Sequence, residues 1–319
     1  MPSLTVRVIK NWNWPDLLRQ TPDGKGEWAG IRFTLDEIEN CDAVIVLNHV
    51  RREAVVNCPP QNIWAIIQEP AVPEYDWLKK GFRQFARVYT PNVRLKGEKY
   101  RHSHGALPWH VNKTYDFLKN CPIPEKTRPL SWITSDDAHR AGQAARVSFL
   151  AAIKGAVQFD IWGRGFEPIE DKWDGLAPYR YSLAVENDNA PHYWTEKISD
   201  CFLGWSMPIY YGCVNIADYF PSEAFIQIDI KQPQESIEII RAAISGDAWR
   251  RNRDAIACAR QLVLEKYQFF PFVAQALAET QENGIRARAV LNSLPAPTKA
   301  PSVVQQLRKK FTRAFGFFK

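Results

Sequence analysis

The 319-residue chain lacks any apolar run that approaches the length of a membrane span. Its opening residues, Met1 to Arg7, lead straight into a strand pattern and contain no signal-peptide core. The six cysteines are scattered without paired spacing, which argues against a disulfide framework and is typical of free thiols in a reducing compartment. We therefore expect a cytoplasmic protein.

Two sequence patterns that could indicate hydrolytic or zinc chemistry are also incomplete. Gly204 to Pro208 resembles the start of a nucleophile elbow but lacks its closing glycine. His102, His104 and His110 lie close together, yet no cysteine or acidic residue stands beside them at metal-ligand spacing. These histidines favour a polar loop over a zinc site, and neither pattern indicates hydrolysis.

Positive charge is concentrated at one end of the chain. The formal net charge is +6, and residues 302–319 carry five basic and no acidic residues, so the rest is nearly neutral. Residues 1–301 are nearly neutral and contain no recognisable nucleic-acid-binding module, which argues against nucleic acid as a partner. Within 302–319, Val304, Leu307 and Phe311 begin an apolar face at three- and four-residue spacing, which Phe315 and Phe318 continue.

A basic helix with such a face predicts peripheral attachment to an anionic membrane surface, here the inner face. The alternative is a helix that docks on the protein's own surface or on a second copy. A proline-rich linker, residues 294–301, precedes this tail.

The remainder reads as an α/β protein in two halves. The first half alternates probable strands with polar or helical segments, and the second places strands on both sides of a helical stretch. A proline-rich segment, Asn120 to Pro129, separates the halves. The predicted divisions are an N-terminal domain (1–126), a C-terminal domain (127–293), and a linker with amphipathic tail (294–319).

The block from Tyr179 to Asp229 carries the clearest site pattern. A strand breaks at Glu186-Asn187, and Thr195-Glu196-Lys197 then opens a helix. Ligands of open α/β sheets lie beyond the carboxyl ends of the strands, where helix N-termini converge. Thr195 can cap the helix, its free N–H groups and Lys197 suit a diphosphate, and Glu196 can accept hydrogen bonds from a ribose diol. The alternative is an ordinary capped helix with a solvated lysine.

A second pattern lies in the first half. Asn62 to Ile67 reads as a buried strand that runs into Gln68-Glu69-Pro70. A carboxylate at a strand end with apolar neighbours can have a raised pKa, which suits a general base. An exposed glutamate at the end of a strand is the alternative.

These blocks resemble the α1,3/4-fucosyltransferases, glycosyltransferase family 10, and in particular their bacterial type. The family carries a pattern close to Y-K-F-x-L-x-F-E-N followed by Y-V-T-E-K-I. Tyr179 to Asn187, Tyr193 to Ile198 and Pro208 to Gly212 match it with few departures. Ala145 to Phe149 resembles the family's arginine-bearing helix start, and Gln68 to Pro73 resembles its G-E-N-x-x-P segment, with glutamine for glycine.

The resemblance implies a GT-B fold, with two Rossmann-like domains facing a cleft, and transfer of fucose from GDP-fucose to an acceptor glycan with inversion. Lys197 and Arg146 would bind the diphosphate, Glu196 and Tyr193 would lie at the ribose, and Asn187 would line the same pocket. Glu69 would be the general base.

No Asp-x-Asp pair is present to hold a metal, so we expect catalysis without one. Trp12, Trp14 and Trp109 are candidates for stacking on sugar rings. Two alternatives stay open: a GT-B transferase that uses another nucleotide sugar, and a catalytically silent, membrane-associated glycan-binding protein.

Overall fold

The computed structural model describes residues 4–280 and 284–296. They form two α/β domains, each built on one largely parallel sheet. The strands are β1 (Thr5–Ile9), β2 (Glu27–Trp28), β3 (Ile31–Thr34), β4 (Ala43–Leu47), β5 (Ala54–Cys58), β6 (Ile63–Ile66), β7 (Arg87–Thr90), β8 (Tyr100–His102), β9 (Arg128–Ile133), β10 (Asp160–Trp162), β11 (Tyr179–Val185), β12 (Met207–Tyr211), β13 (Ile226–Gln227) and β14 (Ala287–Leu291). The helices are α1 (Tyr115–Asn120), α2 (Ala141–Ile153), α3 (Glu196–Leu203), α4 (Pro233–Ser245), α5 (Ala248–Arg251), α6 (Arg253–Leu262) and α7 (Phe269–Thr280).

The first sheet has the order β2-β3-β1-β4-β6-β7-β8, and only the β2–β3 pair is antiparallel. Every residue of β4 and of β6 is buried, as expected for parallel strands covered on both faces. Phe269, Phe270 and Val273 of α7 pack on one face. On the other face lie the β5–β14 ribbon and a 3-10 stretch, Pro73–Gln84.

The second sheet is entirely parallel, with the order β10-β9-β11-β12-β13. Its core is aromatic, and Trp132, Tyr181 and Tyr210 are almost fully buried. The chain moves outward from β9 to β10 and then returns to the other side of β9 to form β11. This reversal opens a crevice beyond the carboxyl ends of β9 and β11, where ligands of such sheets bind.

The two cores do not divide the chain where the sequence predicts. The helix α7 and the strand β14 pack on the first sheet, although both fall within the predicted C-terminal domain, residues 127–293. Conversely, Tyr115 and Leu118 of α1 belong to the core of the second domain. The apolar faces of these elements decide their placement, and sequence order does not reveal which sheet they cover.

The segment between the halves is anchored to the second domain. The Lys126 ammonium donates hydrogen bonds to the carbonyls of Ala177 (2.8 Å) and Gly204 (2.7 Å). Burial lowers the pKa of Lys126 to about 7, but two good carbonyl acceptors favour its charged form. The proline-rich connection is therefore held against the sheet.

The predicted strand from Asn62 to Ile67 is β6, the strand that breaks at Glu186-Asn187 is β11, and the helix that Thr195 opens is α3. All six cysteines are described, and none forms a disulfide. No helix in 4–280 or 284–296 has the length and apolar character needed to cross a membrane. The predicted amphipathic tail, residues 302–319, lies outside the described residues.

Candidate active site between the two domains

A cleft of about 400 Å³ lies where the carboxyl ends of β1, β4 and β6 approach the start of α3. Glu69, Tyr193, Glu196 and Lys197 all line it. The pattern from the first half and the pattern from the second half are thus brought to a single cavity. The remaining lining residues are Asn11, Trp12, Trp14, Pro15, Asn48, Gln68, Leu107, Pro108, His110 and Thr195.

The other two predicted residues form a contact at the reversal of the second sheet. The Arg146 guanidinium, on α2, donates to Asn187 Oδ1 at 2.6 Å and to Ser135 Oγ at 3.1 Å. Asn187 follows β11, and Ser135 follows β9. Arg146 is buried and its Nε has no partner among the described residues. A buried guanidinium with an unused donor lies where a nucleotide phosphate binds in folds of this kind.

Gly142 allows helix α2 to pack close to the backbone of Asn187. A Cβ at Gly142 would lie 1.6 Å from the carbonyl oxygen of Asn187, a distance that no side chain tolerates. The first turn of α2 therefore packs directly on the backbone that follows β11. Glycine at this position brings Arg146 and Asn187 into hydrogen-bonding range.

The N-terminus of α3 is organised as predicted. Thr195 caps the helix, and its hydroxyl oxygen accepts from the Lys197 N–H at 3.3 Å. Beneath it lies Glu186, which is buried and accepts from the Thr195 N–H at 2.7 Å. Burial raises the pKa of Glu186, against the charge of Lys197.

Lys197 is held between two carboxylates. Its ammonium lies 3.3 Å from Glu186 Oε2 and 3.6 Å from Glu196 Oε1. Burial by itself lowers the pKa of Lys197, but the charges of Glu196 and Glu186 outweigh it and raise the pKa above its ordinary value. Lys197 therefore carries a positive charge at the cleft near neutral pH.

A second lysine, which the sequence patterns do not identify, completes this network. Lys172 Nζ lies 3.4 Å from Glu196 Oε1 and 3.2 Å from Asp200 Oδ2. Burial favours protonation of Glu196, yet Lys197 and Lys172 hold its pKa well below the usual range. Asp200 is more deeply buried, which raises its pKa to about 6. Glu196 is thus an ionised acceptor, suited to sugar hydroxyls.

Glu69 lies in a different environment. It is half-buried at the end of β6, and burial raises its pKa, while a hydrogen bond with Tyr75 and the charges of Arg140 and Lys197 act in the opposite direction. Arg140, at the start of α2, hydrogen-bonds to the Tyr75 hydroxyl and lies 4.9 Å from the centre of its ring. One contact therefore joins the second domain to the carboxylate of the first.

Aromatic side chains line the first-domain side of the cleft. Trp14 is 56% exposed, and its ring centre lies 4.8 Å from that of His110. Burial lowers the pKa of His110 to about 4, so its ring is neutral near pH 7. Trp109, in contrast, is buried in the second core and donates to the Lys113 carbonyl. It therefore offers no face to a sugar.

The three clustered histidines have separate places. His104 is buried, stacks on Trp194 with ring centres 4.7 Å apart and bonds to the Tyr267 carbonyl. His102 is exposed and only His110 reaches the cleft. Within 4–280 and 284–296, no group of three or more histidine, cysteine or acidic side chains is arranged to hold a metal ion.

The four residues that sequence reasoning missed differ in the signal they carry. Asp200 stands four positions after Glu196 on the same helix, so helical spacing alone would have placed the two carboxylates on one face. Lys172 precedes Glu196 by a whole strand and loop, and Tyr75 and Arg140 come from different domains. No spacing rule in one sequence connects these three to the site.

Comparisons with known proteins agree with this geometry. Residues 123–247 match the model for the C-terminal domain of glycosyltransferase family 10 (fucosyltransferase). The chain is 29% identical over 266 residues to the 3-galactosyl-N-acetylglucosaminide 4-alpha-L-fucosyltransferase FUT3 of Bos taurus, covering 75% of this chain and 68% of that protein. It is 24% identical over 257 residues to the 4-galactosyl-N-acetylglucosaminide 3-alpha-L-fucosyltransferase FUT6 of Homo sapiens, covering 72% and 66%. The chain thus spans about two thirds of the length of these relatives.

Solved structures show the same fold. The crystal structure of an alpha1,3-fucosyltransferase superposes with a TM-score of 0.52 at 14% identity, covering 94% of this chain and 93% of that one. A crystal structure of alpha1,3-fucosyltransferase with GDP superposes with a TM-score of 0.51 at 15% identity, covering 89% and 92%. The predicted GT-B architecture of two α/β domains facing a cleft is confirmed.

Proposed function

Because the chain belongs to glycosyltransferase family 10, we propose that it transfers fucose from GDP-fucose to a hydroxyl of a GlcNAc-type acceptor glycan, by α1,3 linkage and with inversion. The observation that supports this most directly is the shared cleft, which places Glu69 of the first domain in the same cavity as Tyr193, Glu196 and Lys197 of the second. A nucleotide sugar bound by the second domain would present its reacting carbon to a base on the first.

The donor half of the cleft suits a nucleoside diphosphate. Lys197 keeps its charge through its carboxylate partners, Arg146 has an unused donor, and the capped end of α3 presents backbone N–H groups. Glu196, which stays ionised, would accept from the ribose hydroxyls, with the Tyr193 phenol beside it. Burial raises the pKa of Tyr193 well above its ordinary value, so it remains a neutral hydrogen-bonding group.

The acceptor half suits deprotonation of a sugar hydroxyl. Glu69 would take the proton as the acceptor oxygen attacks the anomeric carbon. Its raised pKa makes it a stronger base for that proton. The bond from the anomeric carbon to the diphosphate oxygen breaks as the new bond forms. The negative charge that develops on GDP would be met by Lys197 and Arg146.

These fixed cations would do the work that a metal does in other transferases, so the reaction is proposed to proceed without one. Chelator treatment tests this directly, since turnover that persists in EDTA is the expected result. Restoration of a lost activity by Mg²⁺ or Mn²⁺ would contradict it.

The decisive experiment measures GDP release from GDP-fucose, with GDP-mannose and UDP-galactose as competing donors and a panel of GlcNAc- and galactose-bearing acceptors. We expect turnover with GDP-fucose alone and its loss in Glu69→Gln. The matched control is Glu74→Gln, an exposed glutamate in the next segment of chain. Equal turnover of the other donors would reassign the sugar. GDP binding without turnover of any acceptor would favour a silent glycan-binding protein.

Peripheral attachment to the inner face of an anionic membrane, in the cytoplasm, is also proposed. It is supported by the sequence of residues 302–319, with five basic side chains and one apolar face. Full-length protein is expected to sediment with anionic liposomes, and protein truncated after residue 301 is expected to stay in the supernatant. Sedimentation of both proteins would remove the tail from the proposal.

A further inference from the structure

A second, larger cavity opens beside the active-site cleft on the first domain. Its volume is about 660 Å³. It lies past the carboxyl end of β1, between the loop that follows β3 and the loop that precedes β5. Asn11 and Trp12 line both this cavity and the cleft, so the two form one continuous groove.

The outer part of this groove is lined by charges of both signs. Glu37 and Glu39 line it from one loop, and Arg51, Arg52 and Glu53 line it from the other. These five are exposed, and none forms an ion pair with any residue in the ranges the structure describes. Arg7 of β1 and Lys10 also line the cavity. Carboxylates accept hydrogen bonds and guanidinium groups donate them in pairs, which together match the hydroxyls of a sugar. With three acidic and four basic lining residues, the formal charges nearly cancel, which favours a neutral ligand over a strongly acidic or basic one.

Trp12 forms the junction between the two parts. Its indole Nε1 donates to Gln68 Oε1 at 3.1 Å, and the Lys10 ammonium donates to its carbonyl at 2.6 Å. The indole is therefore fixed beside Glu69, which follows Gln68 in the chain. A fixed, half-buried indole offers apolar area with little loss of side-chain entropy, as platforms for sugar rings do.

We propose that the groove lined by Glu37, Glu39, Arg51 and Arg52 binds the part of a neutral oligosaccharide acceptor that is remote from the reacting hydroxyl. The acceptor end would lie at Glu69, and the chain would pass Trp12 into the outer groove. The preferred acceptor is then longer than a disaccharide. This inference rests on the proposed function and adds the size and charge class of the acceptor.

The test compares a galactosyl-N-acetylglucosaminide disaccharide with a neutral tetrasaccharide that carries the same disaccharide at its reacting end. GDP release is expected to show a kcat/KM about tenfold higher for the tetrasaccharide, which corresponds to about 1.4 kcal/mol of added binding. The gain should appear in KM, because remote contacts are equal in ground and transition states. The double variants Glu37→Gln/Glu39→Gln and Arg51→Gln/Arg52→Gln are expected to bring the ratio of the two substrates towards one.

The matched control is Glu235→Gln/Glu238→Gln, which alters two exposed glutamates of α4 on the second domain. This variant should keep the ratio of kcat/KM between the two substrates that the unaltered protein shows. Equal kcat/KM for both lengths, or a retained ratio in both groove variants, would overturn the inference while leaving the transferase intact. Absence of turnover with every acceptor would instead remove the proposed function.

If no acceptor is turned over, calorimetry with GDP present still tests whether the groove binds an oligosaccharide. Binding of the neutral tetrasaccharide that is weaker in the groove variants would support the proposed binding site. Absence of binding, or equal binding by the variants and the unaltered protein, would contradict it.

Discussion

The two sides of the cleft are built in opposite ways. On the second-domain side, Lys172, Glu186, Glu196, Lys197 and Asp200 form one connected set of ion pairs, with separations of 3.2 to 3.6 Å. On the first-domain side, most lining residues are aromatic, amide or apolar. Among the residues that the structure describes, Glu69 is the one carboxylate on this side of the cleft. The donor side holds two lysines among three carboxylates, and the acceptor side presents a single carboxylate.

The difference follows from what each side would have to recognise. A diphosphate carries fixed negative charge, and a buried lysine retains its proton there only if carboxylates compensate the loss of hydration. The acceptor hydroxyl that reacts is neutral and needs no fixed cation, so one carboxylate with a raised pKa can serve as the base on that side.

Removal of the base is expected to have the largest effect on turnover. Glu69→Gln keeps the shape of the side chain but cannot accept a proton, so kcat should fall by about a thousandfold. The affinity for GDP, measured by calorimetry, should remain that of the unaltered protein, because Glu69 belongs to the other side. A parallel loss of GDP affinity would show that the two sides are not separate.

Removal of a donor-side cation should have a smaller and broader effect. Lys197→Met is expected to lower kcat/KM by about a hundredfold, because developing charge on the diphosphate loses a fixed partner. GDP affinity should fall too, unlike in the base variant, and thermal unfolding should occur earlier because Glu186 is left buried without its cation. Lys231→Met, at an exposed position, is the control for the loss of a charge. Unaltered GDP affinity in Lys197→Met would contradict the assignment.

A steric change tests the donor side without altering any charge. Gly142→Ala places a methyl group against the Asn187 carbonyl, so α2 must shift and carry Arg146 with it. We expect the free energy of unfolding to fall by about 2 kcal/mol, as for an overpacked core, and GDP binding to weaken. Urea titration measures the first and calorimetry the second, with Ala145→Ser on the exposed face of α2 as the control. If the free energy of unfolding and the affinity for GDP both equal those of the unaltered protein, the close packing of α2 on the Asn187 carbonyl is not required for GDP binding.

The smallest expected effect concerns the contact that joins the two sides. The hydrogen bond with Tyr75 lowers the pKa of Glu69 against the effect of burial, so Tyr75→Phe should raise that pKa further. The base must be ionised to act, so the acid limb of the profile of kcat/KM against pH should move to higher pH, with little change above it. Arg140→Met should move the limb in the same direction, because the Arg140 charge also lowers the pKa of Glu69. A movement to lower pH in either variant would reverse the assigned roles.

The extent to which the site was predictable also differs between the two sides. Tyr193, Glu196 and Lys197 occupy neighbouring positions, and the cap that orients them is a local pattern. Hydrogen bonding within one turn decides such an arrangement, so a single sequence contains it. The Arg146–Asn187 contact follows from the strand order of a parallel sheet. The family resemblance predicts that both residues line the donor pocket, and that role stays a prediction.

The acceptor side has no such local pattern. The residues that line it come from short segments near positions 11–15, 48, 68 and 107–110. Trp109 illustrates the problem, because its neighbour His110 reaches the cleft while Trp109 itself turns into the second core. Which of two adjacent side chains faces a cavity depends on the path of an irregular loop, and no periodicity describes that path.

The amino-acid sequence by itself determined the two parallel sheets, the capped helix with its lysine, and the strand that ends at Glu69. Each depends on spacing along a few turns or strands, where local hydrogen bonding and alternation of apolar residues decide the outcome. Only the tertiary structure decided that α7 and β14 return to the first domain, that Lys172 joins Glu196 to Asp200, and that Arg140 reaches Tyr75. These contacts join residues far apart in the chain, and the packing of whole domains brings them together.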